Sequence, residues 1–188
     1  MTTVPTYLLF AQWALLFVLA ALIFIMYRQL AQLLQVRPRD HQHGLAVGAR
    51  APRFDYRDAR RPEQQGSFTP EGEPTLLVFA DPSCNACVDA MARIDMALEL
   101  AGPDPVRVLV ATAEPASFVE RTPAFAGARA PVVLIERETV GSYRVDGTPH
   151  FYLVGADGAI AESGPAWSSE QIQHALDRRS AHVGQIKS

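Results

Sequence analysis

Two hydrophobic rhythms divide the chain. From Tyr7 to Met26, apolar residues continue for twenty positions with Gln12 as the one strongly polar member. That length crosses a hydrocarbon core as a helix. Tyr7, Trp13 and Tyr27 suit the membrane interfaces. A cleaved leader would need Lys or Arg ahead of a shorter apolar stretch. The segment from Met1 to Thr6 has neither residue, so an uncleaved anchor is expected. Arg28 to Gln35 extends the helix beyond the membrane, and the polar run Arg37 to Gly44 breaks it.

From about Gly48 onward the apolar runs are short and separated by turn residues. Arg53–Tyr56 reads as a short edge strand, Arg60–Pro74 as loop and Thr75–Asp81 as a buried strand. Asn85–Ala101 has helical spacing through Ala86, Met91, Ile94, Leu98 and Leu100, and Gly102-Pro103 ends it. Strands follow at Val106–Ala111 and Pro131–Ile135, with a short helix from Pro115 to Arg121 between them. Glu138–Tyr143 reads as a helical turn. Phe151–Val154 and Ala159–Ala161 form a hairpin around Ala156-Asp157-Gly158. Ser168 is an N-cap for a last helix to about Ser180. Alternating strands and helices predict an α/β sandwich with a central sheet. The expected organisation is an anchor with its flank over 1–36, a linker over 37–47, one domain over 48–180 and a disordered tail over 181–188.

Composition removes several classes of function. Across 188 residues the net charge is −3. There is no basic patch with interleaved aromatics, so nucleic acid is not an expected partner. There is no internal repeat and no Gly-rich phosphate loop.

The chemistry lies in the chain's two cysteines, Cys84 and Cys87, three positions apart at the end of the Thr75 strand. A strand that delivers Cys-x-x-Cys to a helix start is a redox arrangement. The N–H groups and partial positive charge of the helix N-terminus favour the thiolate of the first cysteine. The second, one turn on, can attack a mixed disulfide and release the partner. Zinc is a weaker reading, because structural sites take four ligands and none of the five histidines has finger-like spacing to the pair. A structural staple is weaker too, since so short a loop restrains the unfolded chain little. Asp81 and Asp89 flank the motif, and no Lys or Arg lies within five residues of Cys84. Those acids oppose the helix dipole and point to a middling redox potential. Gly147-Thr148-Pro149 runs directly into the Phe151 strand. A cis-Pro149 there would set the Thr148 backbone beside the cysteines, free to bond an extended substrate peptide.

With these parts together, the stretch from Gly48 to Arg178 resembles the thioredoxin superfamily, and within it the membrane-tethered TlpA/ResA-like group. The resemblance opens at Gly48-Ala49-Arg50-Ala51-Pro52-Arg53-Phe54, passes through Cys84-Asn85-Ala86-Cys87, and is most specific from Tyr143 to Val154 and at Asp157-Gly158-Ala159-Ile160. It implies a thioredoxin-like sandwich with a central mixed sheet, behind one N-terminal transmembrane helix. It also implies Cys84 as nucleophile, Cys87 as resolving thiol and Pro149 as the cis-Pro. A narrower resemblance is to the MauD group of methylamine utilisation proteins, carried by Arg28-Gln29-Leu30 after the anchor and by Asp81-Pro82-Ser83-Cys84. That group makes or rearranges disulfides in a cysteine-rich enzyme subunit outside the cytoplasm.

The chain also departs from these patterns. Ser83 stands where thioredoxins have Trp, Val78 where they have a buried Asp, and Ala90 where cytochrome-maturation members have Glu. The resemblance implies a cysteine-containing protein substrate, an extracytoplasmic or membrane redox partner and lipid around the anchor. It implies no cofactor beyond the cysteine pair and no metal. Arg28, Arg37 and Arg39 follow the anchor, which by the positive-inside rule argues for a cytoplasmic domain. The resemblance places the domain outside, and a single-pass protein with a periplasmic redox domain is the expectation. Two alternatives use the same residues differently. One is a copper carrier ligated by Cys84, Cys87 and His150, since soft thiolates suit Cu(I). The other is a non-catalytic subunit of a membrane complex, docked through the anchor and Leu30, Leu33 and Leu34.

Overall fold

The computed structural model describes residues 12–24, 44–101, 106–165 and 167–184. Residues up to His41 and from Gln42 onward form two separate compact units. In the first, α1 spans 12–24, and its side chains, Trp13, Phe17 and Phe24 among them, are exposed. Among the described residues no helix is long and apolar enough to cross a membrane. The expected span from Tyr7 to Met26 runs past the described residues at both ends, and the Leu30-Leu33-Leu34 face and most of the linker lie outside them.

The second unit is a mixed sheet of seven strands covered on both faces. In chain order the elements are β1 (Phe54–Asp58), β2 (Gln65–Phe68), β3 (Thr75–Phe79), α2 (Asn85–Leu100), β4 (Arg107–Thr112), α3 (Ala116–Arg121), α4 (Pro123–Ala126), β5 (Val132–Leu134), α5 (Arg137–Ser142), β6 (His150–Val154), β7 (Ile160–Gly164) and α6 (Ser169–Gly184). The strand order across the sheet is β2-β1-β5-β4-β3-β6-β7. β3, β4 and β5 run parallel, as their helical crossovers require. The remaining neighbours are antiparallel.

Every residue of β3 and β6 is buried. Such central strands, covered on both faces, read as continuous apolar runs. Alternation still sorts their side chains. Leu76, Val78, Phe151 and Leu153 pack with Met91 and Ile94 of α2 and Ile172 and Leu176 of α6. Leu77, Phe79, Tyr152 and Val154 pack on the other face with Phe54, Phe68 and Tyr143.

Three expectations change. β1 is not an edge strand, because β2 pairs outside it. β2 lies within the stretch expected to be loop. Gln-Gly-Ser-Phe has no apolar alternation, and the strand is held by its register with β1 and by burial of Phe68. The last helix continues to Gly184, into the segment expected to be a disordered tail, since no Pro or Gly interrupts it earlier.

Candidate functional site at the C-terminal end of β3

The register of two strands builds the site. Phe79, the last residue of β3, pairs with His150, the first of the antiparallel β6. The chain leaving β3 and the chain entering β6 therefore meet at one end of the sheet. The first carries Asp81-Pro82-Ser83-Cys84 into α2, and the second carries Gly147-Thr148-Pro149.

Cys84 is the N-cap of α2, in extended conformation (φ −93°, ψ 119°). Its carbonyl accepts from the N–H groups of Cys87 (3.0 Å) and Val88 (3.1 Å) and opens the helix. Its side chain makes no cap bond. The thiol instead turns toward the Thr148 carbonyl oxygen, 3.6 Å away, to which it donates. The Thr148–Pro149 bond is cis. The cis bond sets the Thr148 backbone beside the cysteines, as expected of a cis-Pro149, with its carbonyl taken up by the Cys84 thiol.

Cys87 lies one turn on, fully buried, whereas Cys84 is half-buried. Both are free thiols. The Cys87 sulfur accepts from the Asp81 N–H at 3.3 Å. Burial pushes this thiol up to about 11, with the neighbouring Cys84 adding to the rise. The Asp81 N–H and the Thr148 side chain oppose it. A charged sulfur in a closed apolar setting lacks solvation, so Cys87 holds its proton while Cys84 sits at the surface.

In sequence the turn that joins β3 to α2 stood out only for the charge of Asp81 and the Asp81-Pro82-Ser83-Cys84 motif, not for the hydrogen bonds within it. Asp81 accepts, through one carboxylate oxygen, from the Ser83 N–H (2.8 Å) and the Ser83 hydroxyl (2.7 Å). Its carbonyl accepts from the Cys84 N–H (3.0 Å). The Thr122 hydroxyl, beside α3, donates to Pro82 O at 3.4 Å. The Asp-x-Ser spacing, a recurrent side-chain-to-backbone turn, was the available signal. Asp81 and Thr148 also line a cleft of about 290 Å³, with Glu114 and Arg137 among its other walls. A larger open depression of about 560 Å³ lies at the β1–β2 side of the sheet and includes neither cysteine.

His150 does not join the cysteines. It points to the face opposite α2, buried against Tyr152 with ring centroids 4.7 Å apart. Among the described residues, no three His, Cys, Asp or Glu side chains converge as a metal site.

The fold has counterparts. Residues 62–180 match the thioredoxin-like domain family. No curated protein matches the chain. The thioredoxin domain of a thiol-disulfide oxidoreductase from Bacteroides vulgatus superposes with a TM-score of 0.62 at 16% identity, over 72% of this chain and 98% of its own. StoA from Bacillus subtilis gives 0.56 at 18% identity, over 66% and 96%. Yeast Sco1 with copper bound gives 0.57 at 13% identity, over 74% and 95%.

Proposed function

The chain belongs to the thioredoxin-like domain family, and from that membership we propose that it is a thiol–disulfide oxidoreductase acting on the cysteines of another protein through Cys84 and Cys87. The observation that carries this reading is the asymmetry of the pair. Cys84 is reachable, at a helix N-terminus and beside the Thr148 carbonyl. Cys87 is buried one turn behind it.

The chemistry follows from that placement. The Cys84 thiolate attacks a partner disulfide, forming a Cys84–partner bond and expelling the partner's other sulfur, which takes up a proton. Cys87 then loses its proton and attacks Cys84. The Cys84–Cys87 bond forms, the Cys84–partner bond breaks, and the partner leaves as a dithiol, two electrons richer. Run in reverse, the same steps oxidise a dithiol. Thr148 and Pro149 would hold the partner's extended backbone alongside. Asp81 and Asp89 flank the pair, so the potential should fall short of the strongest oxidants of this fold, at about −120 mV. Equilibration against glutathione measures it.

The finer reading is a single-pass membrane protein whose apolar segment Tyr7–Met26 tethers an extracytoplasmic redox domain. Its substrate would be a cysteine-rich enzyme subunit, such as that of methylamine dehydrogenase. The apolar sequence and the exposed side chains of α1 support the tether, and the short MauD-like motifs support the substrate. Copper carriage is a second reading, favoured by the fold likeness to Sco1. It would have to rely on the two thiols with a ligand other than His150. Metal analysis of the reduced protein separates the two.

The deciding experiment follows the mixed disulfide by mass spectrometry. Cys84→Ser should abolish exchange, and Cys87→Ser should accumulate the Cys84–partner adduct, because attack survives and release does not. Undiminished exchange in Cys84→Ser would sink the reading.

A further inference from the structure

Asp81 reaches the cysteine turn through three different groups. Its carbonyl takes the Cys84 N–H at 3.0 Å. Its own N–H lies on the Cys87 sulfur at 3.3 Å. Its carboxylate clamps Ser83 by two bonds of 2.8 and 2.7 Å. Any residue but proline could supply the first two contacts from its backbone. The third requires a side-chain acceptor at 81, and one of its two bonds a hydroxyl at 83.

We propose that the Asp81 carboxylate is a positioning group that locks the 81–84 turn, keeps the Asp81 N–H on the Cys87 sulfur, and so sets the rate at which Cys87 resolves the mixed disulfide. The proposal rests on the thiol-exchange reading above. Cys87 must become a thiolate inside the core before it can attack Cys84. A donor already aimed at the atom where negative charge develops favours that step without reorganising. The Asp81 N–H is such a donor, and it opposes the effect of burial on this thiol. The N–H belongs to a turn of four residues on an otherwise irregular link from β3 to α2. Hydrogen bonds to a carboxylate are stronger than neutral ones, so the clamp restrains the turn more than a neutral side chain would. Attack by Cys84 itself needs no help from this N–H, which points at the other sulfur.

The test uses the full chain and a peptide disulfide, timing adduct formation on Cys84 separately from release of the peptide. Asp81→Ala should slow release about tenfold, the scale of losing two side-chain hydrogen bonds, and leave adduct formation within about twofold. Asp81→Asn retains an oxygen for Ser83 and should restore release to within about threefold of the parent. Ser83→Ala removes only the hydroxyl and should slow release about two- to threefold.

Parental release in Asp81→Ala would overturn the proposal. So would an Asp81→Asn protein as slow as Asp81→Ala, which would assign the effect to charge. Should Asp81→Ala lose its cooperative melt, Ser83→Ala decides, and parental release there rejects the clamp. A parent chain that forms no adduct refutes the exchange reading itself and the clamp with it, a result distinct from an adduct that forms and resolves regardless of Asp81.

Discussion

The two faces of the sheet are built from the same strands but held in different ways. On the α2 and α6 face the contacts are mainly aliphatic. Leu76, Val78, Met91, Ile94, Ile172 and Leu176 fill it, and Trp167 stacks on Phe151 with ring centroids 5.4 Å apart. On the opposite face, aromatic rings are tied together by hydroxyls. The Tyr143 hydroxyl donates to Pro52 O at 2.6 Å, and the Tyr152 hydroxyl donates to Tyr143 O at 2.7 Å and accepts from the Leu45 N–H at 3.1 Å. Phe79 packs on both tyrosines. Gly44 closes over this cluster with φ +100°, where a Cβ would fall 2.2 Å from the Tyr152 oxygen. The aliphatic face positions the cysteines on a helix end. The aromatic face fastens the segment around Leu45 to Phe54 and carries no thiol. Scaffold and chemistry are thus separated by one layer of strands, and changes on one face should leave the other's property intact.

The largest test of that separation is Tyr143→Ala. Tyr143 is fully buried and touches Phe54, Phe79 and Tyr152. Its truncation should cost about 3–5 kcal/mol, as large aromatic-to-alanine changes in cores do. Denaturant unfolding measures the loss. The rate at which iodoacetamide modifies Cys84 in the folded fraction should stay at the parental value. A changed rate would mean that the two faces communicate. Tyr143→Phe isolates the bond to Pro52 and should cost about 1–3 kcal/mol, since it leaves a part-buried carbonyl without its donor.

The alternation that assigns residues to these faces was legible along the chain. β3, α2, β4 and β6 fall within a residue or two of the spans that periodicity predicts, because buried apolar runs and a 3.6-residue rhythm are strong signals. The cysteine pair and the Thr148-Pro149 approach were legible too, since motif chemistry travels with sequence. β2 was not, because its placement comes from pairing with β1 and from a single buried Phe68. Nor was the hydroxyl network. A Tyr in a strand declares its face, while the partner of its oxygen is fixed by chain as distant as Leu45, 107 positions away. The Asp81 clamp is local, but its effect on Cys87 exists only once α2 has folded the sulfur back onto the turn.

A second test acts on the aliphatic face. Burial lifts the Cys87 thiol from an ordinary 9.0 to about 11. The folded chain therefore binds this proton more tightly than the unfolded chain. Its contribution to stability is fully present below about pH 9 and is lost as pH rises toward 11. In the reduced protein this should remove about 2–3 kcal/mol across that window. Burial raises Tyr143 and Tyr152 as well, so they add their own alkaline loss from the other face. Cys87→Ala isolates the thiol, because it should keep the tyrosine part of the slope and lose the rest. Equal slopes in parent and variant would place the thiol in contact with solvent.

The smallest expected effect concerns how the aliphatic face holds its outer helix. Ser168 and Gln171 exchange bonds at the start of α6. The Ser168 hydroxyl accepts from the Gln171 N–H at 3.2 Å, and the Gln171 side-chain oxygen accepts from the Ser168 N–H at 2.9 Å. This reciprocal arrangement satisfies two N–H groups that the first turn would otherwise leave open. Next to it, Trp167 is buried, and its carbonyl accepts from Arg93 of α2 at 3.2 Å. The cap therefore fixes the point where α6 is fastened to both the sheet and the cysteine helix. Ser168→Ala should cost about 1 kcal/mol. Hydrogen exchange should quicken at Ile172 and the first-turn amides of α6, and remain at the parental rate at Tyr152 and Val154. The Cys84 alkylation rate should not move, since α2 is entered at Cys84 from the β3 turn and not from α6. Faster exchange in β6 as well would show that the aliphatic face supports the aromatic one, and that the two faces melt as one unit.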